Sequence, residues 1–184
     1  MNRFKAHLAK RLGMALPAAL LAAAALAGPV RAQDDAAAAI KKIDTECNAI
    51  QDAIMALHPI RVALVSGTWV VLSEGDYATA VQTKSSVRFA DVYKQGSKFA
   101  WVHAHGIDAK GDQRATQLCF RQSDGTLERA RQATTVPDLS AAAAAQAYYA
   151  PDGTIIQKAA LYEVNDPAVA KKIEELPFYA VLPK

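Results

Sequence analysis

The chain has 184 residues, with 21 Lys+Arg against 18 Asp+Glu and a formal charge of +3. The basic excess lies at the N-terminus: residues 1–32 hold five of the bases and no acid, so the rest of the chain carries −2. That balance argues against a net-basic nucleic-acid binder, and a hydrophobic share of 52% excludes a disordered or collagen-like chain, leaving a folded protein of single-domain length.

Residues 1–32 have the layout of a cleaved secretory signal peptide. Lys5, His7, Lys10 and Arg11 form a positive start, and the uncharged run 12–27 follows with Leu16, Leu20, Leu21 and Leu26 among alanines. Val30 and Ala32 then place small residues at the −3 and −1 positions, so cleavage is expected near Ala32/Gln33. The run is shorter than the roughly 20 residues that span a bilayer, and Pro17 interrupts it. No cysteine stands at the cleavage point to accept a lipid, and no later stretch is long and apolar enough to span. The expected product is residues 33–184, one globular domain exported to the periplasm or secreted, with no integral membrane segment.

Asp34 and Asp35 are suitable caps for a helix starting near Ala36. Ala36, Ile40, Ile43, Cys47, Ile50, Ile54 and Leu57 recur every three or four residues, while Lys41, Lys42, Asp44, Glu46, Gln51 and Asp52 lie off that stripe. The pattern predicts a one-sided amphipathic helix packed on a sheet, ended by Pro59. From Thr68 the period changes to that of strands. Residues 68–72 are one candidate, and 77–82 are ambiguous between strand and helix. Segments 87–93 and 98–105 flank Gln95-Gly96; 113–122 and 127–135 flank Ser123-Asp124-Gly125; 146–150 and 154–164 flank Pro151-Asp152-Gly153. These are three hairpin signals in succession, and they predict an antiparallel meander. A two-residue Asp-Gly turn would place Phe120 opposite Arg129 in the second hairpin; a type I turn with glycine in the left-handed bulge position segregates the apolar residues better and is the expected register. It pairs Cys119 with Arg129, Leu118 with Ala130 and Phe120 with Glu128. Leu118, Phe120 and Ala130 then share one face, and Gln117, Arg121, Arg129 and Arg131 share the other. The alanine run at 140–145 is a helical turn or a loop. Asp166-Pro167 caps a short helix with Val169, Ile173 and Leu176 on its stripe, and the apolar tail Phe178, Tyr179, Val181 and Leu182 packs on the body. The fold expected is α+β: a long N-terminal amphipathic helix on a curved antiparallel meander of six to eight strands, closed by a short C-terminal helix.

Four features carry possible chemistry. Cys47 and Cys119 are the only cysteines, and in an exported protein they are candidates for a disulfide, with separate buried thiols as the alternative. His103-Ala104-His105 on a strand presents two imidazoles on one face, able to share a metal that Asp91, Asp108 or Asp112 would complete. Arg88, Arg114, Arg121, Arg129 and Arg131, with Gln117 and Tyr148, either converge on an anion-attracting pocket or form cross-strand ion pairs. Gly67-Thr68-Trp69 resembles the Gly-x-Trp of the first lipocalin strand, but the long helix before it departs from that pattern, so Trp69 reads as a core anchor and no family is assigned. The sequence contains no nucleophile elbow, phosphate-binding glycine loop, His-Glu-x-x-His helix or Cys-x-x-Cys pair. No cofactor is therefore expected. The leading reading is an exported binding or accessory domain without catalytic activity. It would hold a small apolar or amphiphilic ligand, or an envelope protein, through Trp69, Trp101, Phe120, Arg129, Arg131 and Tyr148. The alternative is an exported enzyme or metal-binding protein that uses His103 and His105.

Overall fold

The computed structural model describes residues 19–76, 88–107, 113–136, 141–160 and 170–184. The chain divides into two compact units, Met1–Ala37 and Ala38–Lys184, and the sheet with its two coverings belongs to the second. Helix α1 runs Ala19–Ile54 and begins upstream of the expected start, so Asp34 and Asp35 lie within it rather than capping it. Alanine, the residue of highest intrinsic helix propensity, dominates the stretch before them and favours the extension, although Gly28 and Pro29 within it oppose it. Within the second unit the predicted stripe faces inward: Ile43, Cys47, Ile50 and Ile54 are buried and Ile40 partly so, while Leu57, beyond the helix, is exposed.

Eight strands follow: β1 Ile60–Val65, β2 Thr68–Val71, β3 Arg88–Gln95, β4 Lys98–Ile107, β5 Gln113–Phe120, β6 Leu127–Val136, β7 Ala141–Tyr149 and β8 Ile155–Ala160. They form one antiparallel sheet in the order β2-β1-β3-β4-β5-β6-β7-β8, so from β3 onward it is the predicted meander. Strand β1 is an addition to the sequence reading. It turns back into β2 through Ser66 (φ 48°) and Gly67 (φ 83°), the two positive φ values of a type I′ hairpin. The alanine run is also a strand: Ala141 to Ala145 pair with Val136 to Gln132, because a neighbouring ladder overrides the weak strand preference of alanine. The ambiguous segment 77–82 lies outside the described residues.

Each of the three hairpins read from the sequence carries a bulge a few residues past its turn. The extra residues are Ala100, Glu128 and Ile156, and all three turn toward α1. The second hairpin keeps the expected pairs Leu118–Ala130 and Cys119–Arg129, but Phe120 pairs with Leu127 rather than Glu128. The bulge absorbs Glu128, so Phe120 and Leu127 both reach the apolar face opposite the helix, where two large side chains would otherwise be split between faces.

The sheet is covered on both faces. On one, Ile43, Cys47, Ile50 and Ile54 of α1 pack on Ala100, Trp101, Cys119 and Tyr148. On the other, Val62, Val92, Val102, Leu118, Phe120 and Leu127 lie under Ile173, Leu176, Phe178 and Leu182. The apolar tail thus packs on the body as expected, through two 3₁₀ turns, Ile173–Glu175 and Tyr179–Val181, rather than a regular helix. Asp166 lies outside the described residues. The tail is held to the second hairpin by Ile173 N–H to Gly125 O (3.0 Å) and Leu127 N–H to Lys171 O (2.8 Å). At Gly125 a Cβ would stand 3.2 Å from Ile173 Cγ2, and φ is +71°, so this turn requires glycine on two counts. Among the described residues no helix is long and apolar enough to cross a membrane.

Candidate functional site

The register lays the helix-side face out in transverse rows. Cross-strand neighbours sit about 5 Å apart at Cβ, so each row is a line of touching side chains. The first row is Tyr93, Trp101, Cys119, Arg129 and Tyr148, beneath α1. The second is Arg61, Asp91, His103, Gln117, Arg131 and Gln146: six strands, every position polar. The third is Phe89, His105, Ala115, Ala133 and Ala144, which drops to alanine over β5, β6 and β7. A cleft of about 410 Å³ opens over the second and third rows, lined by His103, Ala115, Gln117, Arg131, Ala133, Ala144 and Gln146 among others.

Cys47 and Cys119 are joined, with Cα atoms 5.9 Å apart. The bond ties the C-terminal third of α1 to β5, and it is compatible with an oxidising compartment. Beside it Glu128 is buried, one carboxylate oxygen 4.0 Å from Cys47 Sγ and the other accepting from Arg121 Nε at 2.8 Å. Burial raises the Glu128 pKa against the pull of Arg121. Cys47, Cys119 and Glu128 are the one trio of potential metal donors within 4.8 Å among the described residues, and two of them are committed to the disulfide.

Next to the disulfide lies a charged cluster. Arg129 is only 1% exposed, and its Nη1 donates to Asp44 Oδ1 (2.7 Å) and Asn48 Oδ1 (3.0 Å), while its guanidinium carbon stands 5.8 Å from the Trp101 ring. Its Nη2 is buried without a protein acceptor. Tyr148 O–H donates to the same Asp44 carboxylate (2.9 Å) and accepts from Gln146 Nε2. Burial and that bond to Asp44 raise the Tyr148 pKa, so the phenol stays neutral near pH 7. Arg131 donates from Nε to Gln146 Oε1 at 2.7 Å, and its Nη2 lies 3.9 Å from Asp44, beyond hydrogen-bond range. Burial pushes the Arg129 pKa down, countered by Asp44, yet a guanidinium remains charged at any ordinary pH.

The two imidazoles share a face as expected, with ring centroids 4.0 Å apart, and Phe89 stacks on His105 at 4.5 Å. Burial lowers both pKa values, that of His105 to about 4, with the neighbouring His103 charge adding to the effect and Asp91 opposing it. Both rings are therefore neutral at pH 7, the form that ligates metals. Among the described residues no third histidine, cysteine or carboxylate forms a compact donor set with them, and Asp91 accepts from Arg61 Nε at 3.1 Å. Asp108 and Asp112 lie outside the described residues.

Of the remaining residues singled out from the sequence, Trp101, Arg129, Arg131 and Tyr148 are brought together. Trp69 and Phe120 lie on the opposite face: Trp69 packs edge-on against Phe178 at 5.0 Å, as a core anchor, and Phe120 is in the core beneath the tail. The five arginines do not converge. Arg88 and Arg114 flank Gly106 in a row of the other face, and Arg121 pairs with Glu128. Sequence reasoning missed Asp44, Asn48 and Gln146. The available signal was the polar i, i+4 pair Asp44/Asn48 immediately beside the buried stripe, where a charged side chain borders the helix–sheet interface. A larger cavity of about 690 Å³ lies between α1 and the turns of the last two hairpins, but its buried polar groups, Arg121 and Glu128, satisfy each other.

No family model matches this chain, and comparison with curated proteins and with solved structures likewise finds no match.

Proposed function

We propose that this protein is an exported binding domain, released by cleavage near Ala32/Gln33, that holds a small amphiphilic ligand in the cleft beside α1. The observation that carries this reading is the adjacency of two unlike rows in one open cleft: hydrogen-bonding side chains at His103, Gln117, Arg131 and Gln146, and small apolar ones at Ala115, Ala133 and Ala144. A ligand site needs a few polar groups that orient its occupant and an apolar surface that repays desolvation, and this cleft offers both. The alanines matter because they leave room: larger side chains in that row would fill the depression. The disulfide and the Arg129–Asp44 pair tie α1 to β5 and β6, two of the strands that floor the cleft, which favours a floor formed before a ligand arrives.

The test is native mass spectrometry on residues 33–184 purified from an oxidising compartment, set against the denatured mass. A non-covalent small-molecule adduct is expected, lost in Ala115→Leu, where the new side chain occupies the cleft floor without entering the packed core. A bare protein that also gains no thermal stability from any member of an amphiphile panel refutes the reading.

A further inference from the structure

We infer that the group anchored in this cleft is a single carboxylate, seated at Arg131 beside the amide of Gln117, with a short aliphatic chain laid over Ala115, Ala133 and Ala144. This deepens the binding reading above and rests on it. The first support is charge. Arg129 and Arg131 share one carboxylate, Asp44, and with Tyr148 and His103 neutral the cluster is left with one positive charge. A monoanion balances it, whereas a dianion such as a phosphate monoester overshoots. The second support is an acceptor deficit at Arg131 itself: Gln146 Oε1 takes its Nε, but its Nη2 lies 3.9 Å from Asp44, whose Oδ1 is already bonded to Arg129. Arg131 is part-exposed and lines the cleft, so its outer guanidinium edge can meet a carboxylate from solution in a charge-assisted contact. The third is placement. Gln117 and Arg131 are cross-strand partners, as are Arg131 and Gln146, and all three side chains line the cleft; Gln146 Oε1 accepts from Arg131 Nε, which leaves the Arg131 Nη groups and the Gln117 amide to meet an anion. The alanine row runs directly alongside, a shallow apolar surface on which an aliphatic chain can lie.

Isothermal titration of the disulfide-intact protein with octanoate, and in parallel with octanol, tests this without any variant. Octanoate is expected to bind at least about tenfold more tightly than octanol, the ratio a charge-assisted contact supports, with NMR shifts in the Gln117 and Gln146 side-chain amides. Arg131→Gln is expected to reduce octanoate affinity to that of octanol and leave octanol unchanged. Equal binding of the two probes, or octanoate binding indifferent to Arg131→Gln, overturns the carboxylate assignment while the cleft remains a binding site. Absence of binding by both probes, with an adduct still displaced by Ala115→Leu, overturns the assignment alone. Absence of both binding and adduct removes the binding reading with it.

Discussion

Replacing both cysteines, as Cys47→Ala with Cys119→Ala, removes the covalent tie between α1 and the sheet. The bond closes a loop with a sequence separation of 72. The chain-entropy relation for a loop of that length gives about 4 kcal/mol of stabilisation, by restricting the unfolded chain. Both sulfurs are buried between Ile43, Ile50 and Trp101, so their truncation adds a packing loss of about 1 kcal/mol. In a domain of this size one kcal/mol corresponds to about 2–4 °C, so the melting temperature should fall by roughly 10–20 °C. Urea denaturation separates the two contributions. The slope m should rise, because the uncrosslinked chain expands further on unfolding, and reductant should bring the native protein to within about 1 kcal/mol of the variant. A variant within 1 kcal/mol of the native protein, or two thiols free to alkylate in the oxidised sample, would refute the reasoning.

Arg129→Met should destabilise by about 2–3 kcal/mol, since it removes hydrogen bonds from a buried guanidinium to Asp44 and Asn48. Asp44 is 34% exposed and can partly rehydrate, which keeps the loss below that of a fully buried pair. Chemical denaturation with the Asp44→Asn partner in a double-mutant cycle checks it, and a coupling near zero would sink the claim. Folding favours neutral His105, whose pKa burial lowers to about 4, so its contribution is complete above pH 6.5 and is lost as pH falls toward 4. Glu128, with its pKa raised, acts with the opposite sign, stabilising most at low pH and less as pH rises past its folded value. The difference in urea midpoint between native protein and His105→Phe, followed from pH 7.5 to 4, isolates the histidine and should move in favour of the variant on acidification. Finally, Gly125→Ala should cost about 1–2 kcal/mol, through φ of +71° and the 3.2 Å approach to Ile173, and more than Gly96→Ala, where φ is +64° but no atom lies within 4 Å. Equal losses at the two sites in thermal melts would show that the tail contact contributes nothing.

Features carried by neighbours along the chain were legible in the sequence. The stripe from Ile40 to Ile54 exposes its period within one helix, and the turns at Gly96, Gly125 and Gly153 declare themselves because positive φ selects glycine wherever the chain must bend that way. The pairing of Cys119 with Arg129 followed from turn chemistry a few residues away together with the segregation of apolar residues to one face. Strand β1 escaped because Ile60 to Val65 shows little apolar–polar alternation and its turn uses Ser66, a residue that seldom adopts φ of 48°. Other features depend on residues far apart in sequence. Asp44 meets Arg129 across 85 positions, and its place with Asn48 beside the stripe does not say which strand residue it meets. The polar row needs five strand registers to agree, and a slip of one residue in any of them would turn its members to the opposite face. Local periodicity and turn stereochemistry therefore determined the elements and most of the meander from sequence by itself. Only the tertiary structure, through bulges and accumulated register, decided which polar side chains meet beside the helix.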